Sequence, residues 1–384
     1  MFLADLGADV IKIENPKTGG DRTRFTWRAE NERKDGMSLY FSNINRNKRS
    51  LCLDMKTDDG KKIFRQLVEQ ADILVENNRP GVMDRLGFGY EDCKKINPRL
   101  IYGSISAYGQ NGPYSQRPGF DLIAQALGGS MAATGFKSTP PTRSGIPLGD
   151  VLGGMNCTIG ILAALHKREQ TGTGEHIDVA LVDSIVSSLA SITVTYLLDG
   201  TPAKRLGNRY DVPGPYDTFH AKDADFVIAC GNQVHFDHLA ALIGHPELID
   251  DPRFSTDGAR QLSAATEEYP IKKYIEEWSV QYTAKECVEM INAAGAPASE
   301  IYDYDQIFHD EQIAGARHMF EKVQHPLYDD EKITLTTNPI KLTEHPTQIW
   351  SIPPKLGEHT REILGELGYS EEEIRMLHDT HVTG

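Results

Sequence analysis

Apolar residues alternate in some stretches and recur at helical spacing in others, and the two periods trade places along the first half of the chain. Residues 10–14 (Val10-Ile11-Lys12-Ile13-Glu14) read as a strand, and residues 1–6 as the last turns of a helix closed by Gly7. A chain opening inside an αβ unit leads us to expect that a first strand has been lost. Residues 51–54 read as another short strand. Residues 58–71 place Ile63, Phe64, Leu67, Val68 and Ala71 on one helix face. Residues 73–76 read as a strand, 82–86 and 91–96 as short helices, and 100–104 as a further strand. Such alternation builds a parallel sheet with right-handed crossovers, and ligands bind beyond the C-terminal ends of its strands.

Farther along, residues 120–133 read as a helix ending in glycines, Pro140-Pro141 as a loop, and 155–166 as an apolar helix. Residues 177–181 alternate like a strand, and 183–198 read as one long helix. Residues 201–215 carry Pro202, Gly207, Pro213, Gly214 and Pro215, the composition of a linker. Two β runs, 216–220 and 226–230, flank the polar turn Lys222-Asp223-Ala224-Asp225 and predict a hairpin. Helical patterns follow at about 234–244, before Trp278, and at 284–294. The chain turns extended again near Met319, and a last helix begins around Gly357. The predicted organisation is α/β: a large domain over 1–200, a linker over 201–215, a small α+β domain over 216–318, and a linker and return to the large domain over 319–384.

Composition narrows the field. A chain of 384 residues exceeds what one core usually holds, which agrees with two domains. No uninterrupted apolar run reaches spanning length, and no charged-then-apolar leader opens the chain. Five cysteines (Cys52, Cys93, Cys157, Cys230, Cys287) are scattered without metal spacing, so free thiols in a cytoplasmic protein are expected. A net charge of −15 argues against nucleic-acid and anionic-membrane partners, whose polyanionic fields it would repel. Small anionic substrates stay open, because a local cluster of basic side chains can override the global sign.

Known cofactor motifs fail on spacing. Gly87-Phe88-Gly89 and Gly172-Thr173-Gly174 lack the third glycine of a dinucleotide fingerprint, and Gly60-Lys61-Lys62 is no P-loop. His235 and His238 lie three apart on a helix without a third ligand, so no metal is expected. Basic residues cluster near strand ends: Arg22 and Arg24, the run Asn45-Arg46-Asn47-Lys48-Arg49, and Arg79 with Arg85. Together they suit a ligand with several phosphates. The most pointed acid is Asp150, in Gly149-Asp150-Val151-Leu152-Gly153-Gly154. Glycine on both sides admits a ligand close to the main chain, and a carboxylate there can act as a covalent nucleophile. The plain alternative is a helix N-cap.

The ordered run of segments decides the direction. Leu6-Gly7-Ala8-Asp9-Val10-Ile11-Lys12-Ile13-Glu14, Asn47-Lys48-Arg49-Ser50-Leu51, Asp72-Ile73-Leu74-Val75-Glu76-Asn77, Arg117-Pro118-Gly119-Phe120-Asp121, the Asp150 segment and Leu356-Gly357-Glu358-His359-Thr360 closely resemble the class III CoA-transferases. That resemblance implies a Rossmann-like parallel-sheet large domain, a smaller inserted α+β domain, and a homodimer of two interlocked rings. It implies Asp150 as nucleophile. Asn77, Asn78, Arg79, Arg85 and Tyr108 are implied as the CoA-binding residues, and Gly149 and Gly231 more weakly as oxyanion or flap positions. The implied substrates are an acyl-CoA thioester and a small carboxylic acid, with no permanently bound cofactor.

The chain departs from the family in three places: no counterpart of the opening strand and its loop, Asn15 and Ser106 where relatives often carry basic residues, and only Cys230-Gly231-Asn232 where some have a glycine-rich flap. An inactive CoA-binding homologue is therefore the alternative reading. The related α-methylacyl-CoA racemases use a histidine where this chain has Phe120, which cannot exchange a proton, so a racemase-like enzyme would need another base and is the less favoured second alternative.

Overall fold

Parallel ladders carry the first of two units, which comprises Met1–Leu127, Pro147–Ser188 and Phe308–Gly384. The computed structural model describes residues 1–25, 37–210, 212–266, 268–325 and 328–384. The chain begins α1 Phe2–Asp5, β1 Val10–Glu14, α2 Leu39–Asn45, β2 Lys48–Cys52, α3 Asp58–Gln70 and β3 Ile73–Glu76. It continues through α4 Val82–Leu86, α5 Tyr90–Ile96, β4 Ile101–Ser106 and α6 Asp121–Leu127. After α7 Ser130–Ala133, which belongs to the second unit, come α8 Leu148–Thr171, β5 His176–Ala180 and α9 Leu181–Ser188.

The alternation predicted one parallel sheet. Among the described residues there are two: β1 pairs with β2, and β3, β4 and β5 pair in that order, all parallel. A shared core joins them in place of hydrogen bonds. Leu51, Leu53 and Tyr102 bury with Ile63, Phe64 and Val68 of α3 in a single cluster. The start of α3 is fixed tightly. Thr57 Oγ1 accepts the Gly60 N–H, and a Cβ on Gly60 would fall 2.0 Å from the Asp54 carbonyl oxygen, so only glycine fits.

Helix boundaries depart from the periodicity in three places. The helix expected over 120–133 is broken at Gly128-Gly129, where Gly129 takes φ 88°, into α6 and α7. The long helix expected over 183–198 starts earlier and is split into α9 and α10 Val194–Asp199. α8 begins seven residues before the predicted 155, which places Asp150 inside a helix. At 24 residues, α8 is also long and apolar enough to cross a bilayer by length and composition alone, although no uninterrupted apolar run reaches that length. Interspersed glycine, asparagine and threonine interrupt it, and a small-residue face of the helix is buried in the first unit.

The second unit comprises Gly128–Ile146 and Leu189–Ile307. Its antiparallel sheet contains the predicted hairpin, β6 Tyr216–His220 with β7 Asp225–Ala229. Helices α11 Gln233–Leu242, α12 Asp257–Ala264, α13 Ile271–Ser279 and α14 Ala284–Ala293 precede the third strand, β8 Ala298–Glu300, which pairs with β7. Phe219, Phe226, Phe236, Phe254, Ile275 and Ile291 form the centre of its core. β8 escaped the sequence reading because Ala-Ser-Glu is too short and polar to show alternation.

α15 Tyr304–His309 leads back to the first unit. An antiparallel pair follows, β9 Phe320–His325 with β10 Tyr328–Thr336, then α16 Thr360–Glu366 and α17 Glu371–Asp379. Ile363, Leu364 and Leu377 enter the same core as α3. Asn47, held at φ 59°, accepts the N–H groups of Trp350 and Ser351 and donates to the Gln348 carbonyl, which seats the returning chain beside β2.

Candidate active site

α8 reaches the sheet through small residues. Its buried positions are Gly149, Gly153, Cys157, Ile161 and Ala164. A Cβ on Gly160 would lie 2.9 Å from Ile177 Cγ2, and one on Gly103 of β4 would lie 3.0 Å from Cys157 Sγ. Gly153 faces Leu181 and Ile105, near the C-terminal ends of β5 and β4. The helix therefore runs opposite to the strands, and its first turn stands at the edge where parallel sheets bind ligands.

Asp150 is the third residue of α8 and lies in that first turn. It is not the cap. Pro147 holds the cap position and makes no side-chain cap bond. The acceptor comes from Asp121, at the start of α6. Its Oδ1 accepts the Gly149 N–H at 2.7 Å, and its Oδ2 accepts from Gln125 Nε2 at 2.7 Å. The Asp150 residue is exposed, and its carboxylate has no hydrogen-bond or ion-pair partner among the described residues. A helix start favours the ionised acid. Here desolvation by surrounding atoms, and then the charge of Asp121, outweigh it and raise the Asp150 carboxyl above the usual aspartate value. Tyr40 of α2 faces the same charge; burial first, then Asp150 and Asp21, push its phenol up.

The residues implied for CoA occupy the same edge. Asn77, Asn78 and Arg79 follow the end of β3 and are exposed, with the Asn78 N–H donated to Glu76 Oε2 at 2.7 Å. Arg85 in α4 folds back toward that turn, so that a Cβ on Gly81 would lie 3.2 Å from its Nη1. Tyr108 follows the end of β4, half-buried, edge-on to Tyr114 at 6.0 Å, with its hydroxyl donating to the Pro118 carbonyl at 3.4 Å. Gly149 is buried, and its N–H is already given to Asp121, so it is closed to an oxyanion while that bond stands. Gly231 belongs to the second unit, just past β7.

Several basic residues read as phosphate-facing are engaged elsewhere. Arg24 is buried against Glu14, with Nη2 2.6 Å from Oε2. Arg46 is buried against Asp5 at 2.7 Å. Arg49 binds Asp9, Glu362 and Glu366. Lys48 donates to Asn45, and burial, then Lys12, lower its pKa to about 8. Arg79 and Arg85, by contrast, make no ion pair among the described residues. The periodic reading missed Asp121 and Tyr40 as neighbours of Asp150. Asp121 stood in the matched Gly119-Phe120-Asp121 segment, but nothing local ties it to Gly149, 28 residues away.

The family profile described as CoA-transferase family III matches residues 1–360. The chain belongs to CoA-transferase family III. It is 41% identical over 343 residues to an acetyl-CoA:oxalate CoA-transferase of Acetobacter aceti, covering 89% of this chain and 84% of that one. It is 38% identical over 376 residues to a succinyl-CoA:mesaconate CoA-transferase of Haloarcula hispanica, covering 96% and 91%. A solved CAIB/BAIF family protein from Brucella suis shares 38% identity and superposes with a TM-score of 0.79 over 95% of this chain and 93% of that one. The protein is an enzyme, a CoA-transferase.

Proposed function

We propose that this CoA-transferase moves CoA from an acyl-CoA donor to a small carboxylic acid through covalent intermediates on Asp150. One observation carries the reading: among the described residues the exposed Asp150 has no hydrogen-bond or ion-pair partner at the C-terminal edge of the parallel strands, while Asp121 accepts the Gly149 N–H. An Asp150 oxygen attacks the thioester carbonyl carbon, the C–S bond breaks, and CoA thiolate leaves a mixed anhydride. The thiolate attacks the Asp150 Cγ carbon and displaces the donor carboxylate, giving an aspartyl-CoA thioester. An acceptor carboxylate attacks Cγ, releases the thiolate and forms a second anhydride. The thiolate then attacks the acceptor's acyl carbon, which yields the new acyl-CoA and frees Asp150. The thioester's free energy is carried through, so no ATP is needed, and water must be kept from both intermediates.

Arg79 and Arg85, whose side chains have no ion-pair partner among the described residues, suit the phosphates of CoA. Asn77, Asn78 and Tyr108 stand at the same edge, where the nucleotide and the pantetheine arm would lie. Relatives act on oxalate and mesaconate by name, so a short dicarboxylic acid is the proposed acceptor. The proposed working form is a cytoplasmic homodimer.

The test is a screen of acetyl-, formyl- and succinyl-CoA against oxalate, mesaconate and glutarate, with hydroxylamine as a trap. Transfer with at least one pair, a hydroxamate located at Asp150, and loss of both in Asp150→Ala are expected. CoA binding without transfer to any acid would reject the reading in favour of an inactive homologue.

A further inference from the structure

Asp121 supports the first turn of α8 from outside the helix, and the proposed mechanism gives it no part. Both its oxygens are held, one by the Gly149 N–H and one by Gln125 Nε2, each at 2.7 Å. The approach is close: a Cβ on Gly149 would lie 3.2 Å from Asp121 Oδ1 and 3.3 Å from Ala124 Cβ. Helix starts leave N–H groups open that the cap side chain usually satisfies. Pro147 has no side-chain acceptor to offer, and α6 supplies one instead.

Resting on Asp150 as nucleophile, the geometry points to Asp121 as a positioning residue for the transfer: it anchors the turn so that Asp150 stays unbonded, and its negative charge favours each step that neutralises Asp150. Acylation turns the Asp150 carboxylate into a neutral anhydride or thioester. Repulsion between the two acids is relieved at that moment and returns when the carboxylate is regenerated. The proton reports the same repulsion, since Asp121 is the second cause, after desolvation, of the raised Asp150 carboxyl. Among the described residues, the Tyr40 phenol from α2 also faces Asp150, and its raised value keeps it uncharged in the working range. Asp121 itself does not touch the reacting atoms.

Asp121→Asn keeps an acceptor oxygen for the Gly149 N–H and removes the charge. Asp150 protonation is read from the pH dependence of its labelling by a water-soluble carbodiimide with glycine methyl ester, located by peptide mass spectrometry. In Asp121→Asn the midpoint should move to lower pH by roughly half a unit or more. Acylation by acetyl-CoA or succinyl-CoA, trapped with hydroxylamine, should slow at neutral pH, by up to about threefold per half unit of that shift, because the charge is only partly neutralised in the transition state. Asp121→Glu should restore both toward wild type. If the asparagine variant fails to fold by far-UV circular dichroism, Asp121→Gln offers an uncharged carbonyl acceptor on a longer side chain. An unchanged midpoint and unchanged acylation would overturn the inference while leaving the nucleophile intact. Transfer surviving in Asp150→Ala would overturn both.

Discussion

Glu14 collects donors from three directions. Arg24 Nε and Nη2 reach it at 2.8 and 2.6 Å, Ser50 Oγ at 2.6 Å and the Asp21 N–H at 3.0 Å. Burial alone would raise its carboxyl, but the bonds from Arg24 and Ser50 outweigh burial and hold it low. Asp21 follows the same logic: burial is opposed and overcome by Lys12, which leaves it at about 2. Both folded values lie below the ordinary ones, so the stability they contribute is present above about pH 4 and lost as pH falls toward 2. Urea midpoints should therefore drop across that window, and Glu14→Gln should flatten part of the fall. Glu14→Ala leaves the Arg24 guanidinium buried without its counter-ion, and should cost about 3–5 kcal/mol in urea unfolding. Such pairs explain what sequence reading got wrong. Arg24, Arg46 and Arg49 read as phosphate ligands because their partners, Glu14, Asp5 and Asp9, lie on other elements. The glycine setting of Asp150 fitted a helix N-cap as well as a reactive acid, and the structure gives the cap position to Pro147. The bond that frees Asp150, from Gly149 to Asp121, is tertiary and left no local mark.

Strands β1, β3 and the hairpin β6–β7, and helices α3 and α4, lie at or within a residue or two of where periodicity put them, because each is amphipathic and bounded by turn residues. α8 was misplaced for the opposite reason. Its sheet-facing positions are glycine, cysteine and alanine as well as isoleucine, while Val151, Met155, Ile159 and Leu162, spaced 4, 4 and 3 apart, are exposed. A pattern with its large residues outward carries little amphipathic signal inward. The small face sets how close the helix that carries Asp150 comes to the sheet. Gly160→Ala puts a Cβ 2.9 Å from Ile177 Cγ2, and should cost about 1–3 kcal/mol through overpacking. Thermal unfolding checks the cost. Transfer activity per folded molecule tests whether the lifted helix also displaces Asp150: an unchanged kcat would mean that the first turn is held by Asp121 alone.

The outward face of α8 poses its question at the scale of the molecule. Val151, Met155, Ile159 and Leu162 are 40–62% exposed, and α6 beside it leaves Leu122, Ile123 and Leu127 44–51% exposed. Large apolar side chains exposed together on neighbouring helices call for a cover in water. A bilayer is one candidate, since α8 has the length and hydropathy to span one. Against it, the buried side of the same helix is packed on β4 and β5, and could not leave them without exposing Ile101, Cys157 and Ile161. The net charge of −15 would also oppose an anionic surface. A second copy of the chain is the cover we expect, in line with the homodimer proposed above. Sedimentation velocity should give twice the chain mass. Ile159→Lys combined with Met155→Lys should shift the protein toward a monomer, with its far-UV circular dichroism unchanged. Wild type sedimenting as a monomer, or floating with anionic vesicles, would assign that face to another partner. Transfer activity falling in step with dimer dissociation would show that the edge carrying Asp150 is finished by the second chain.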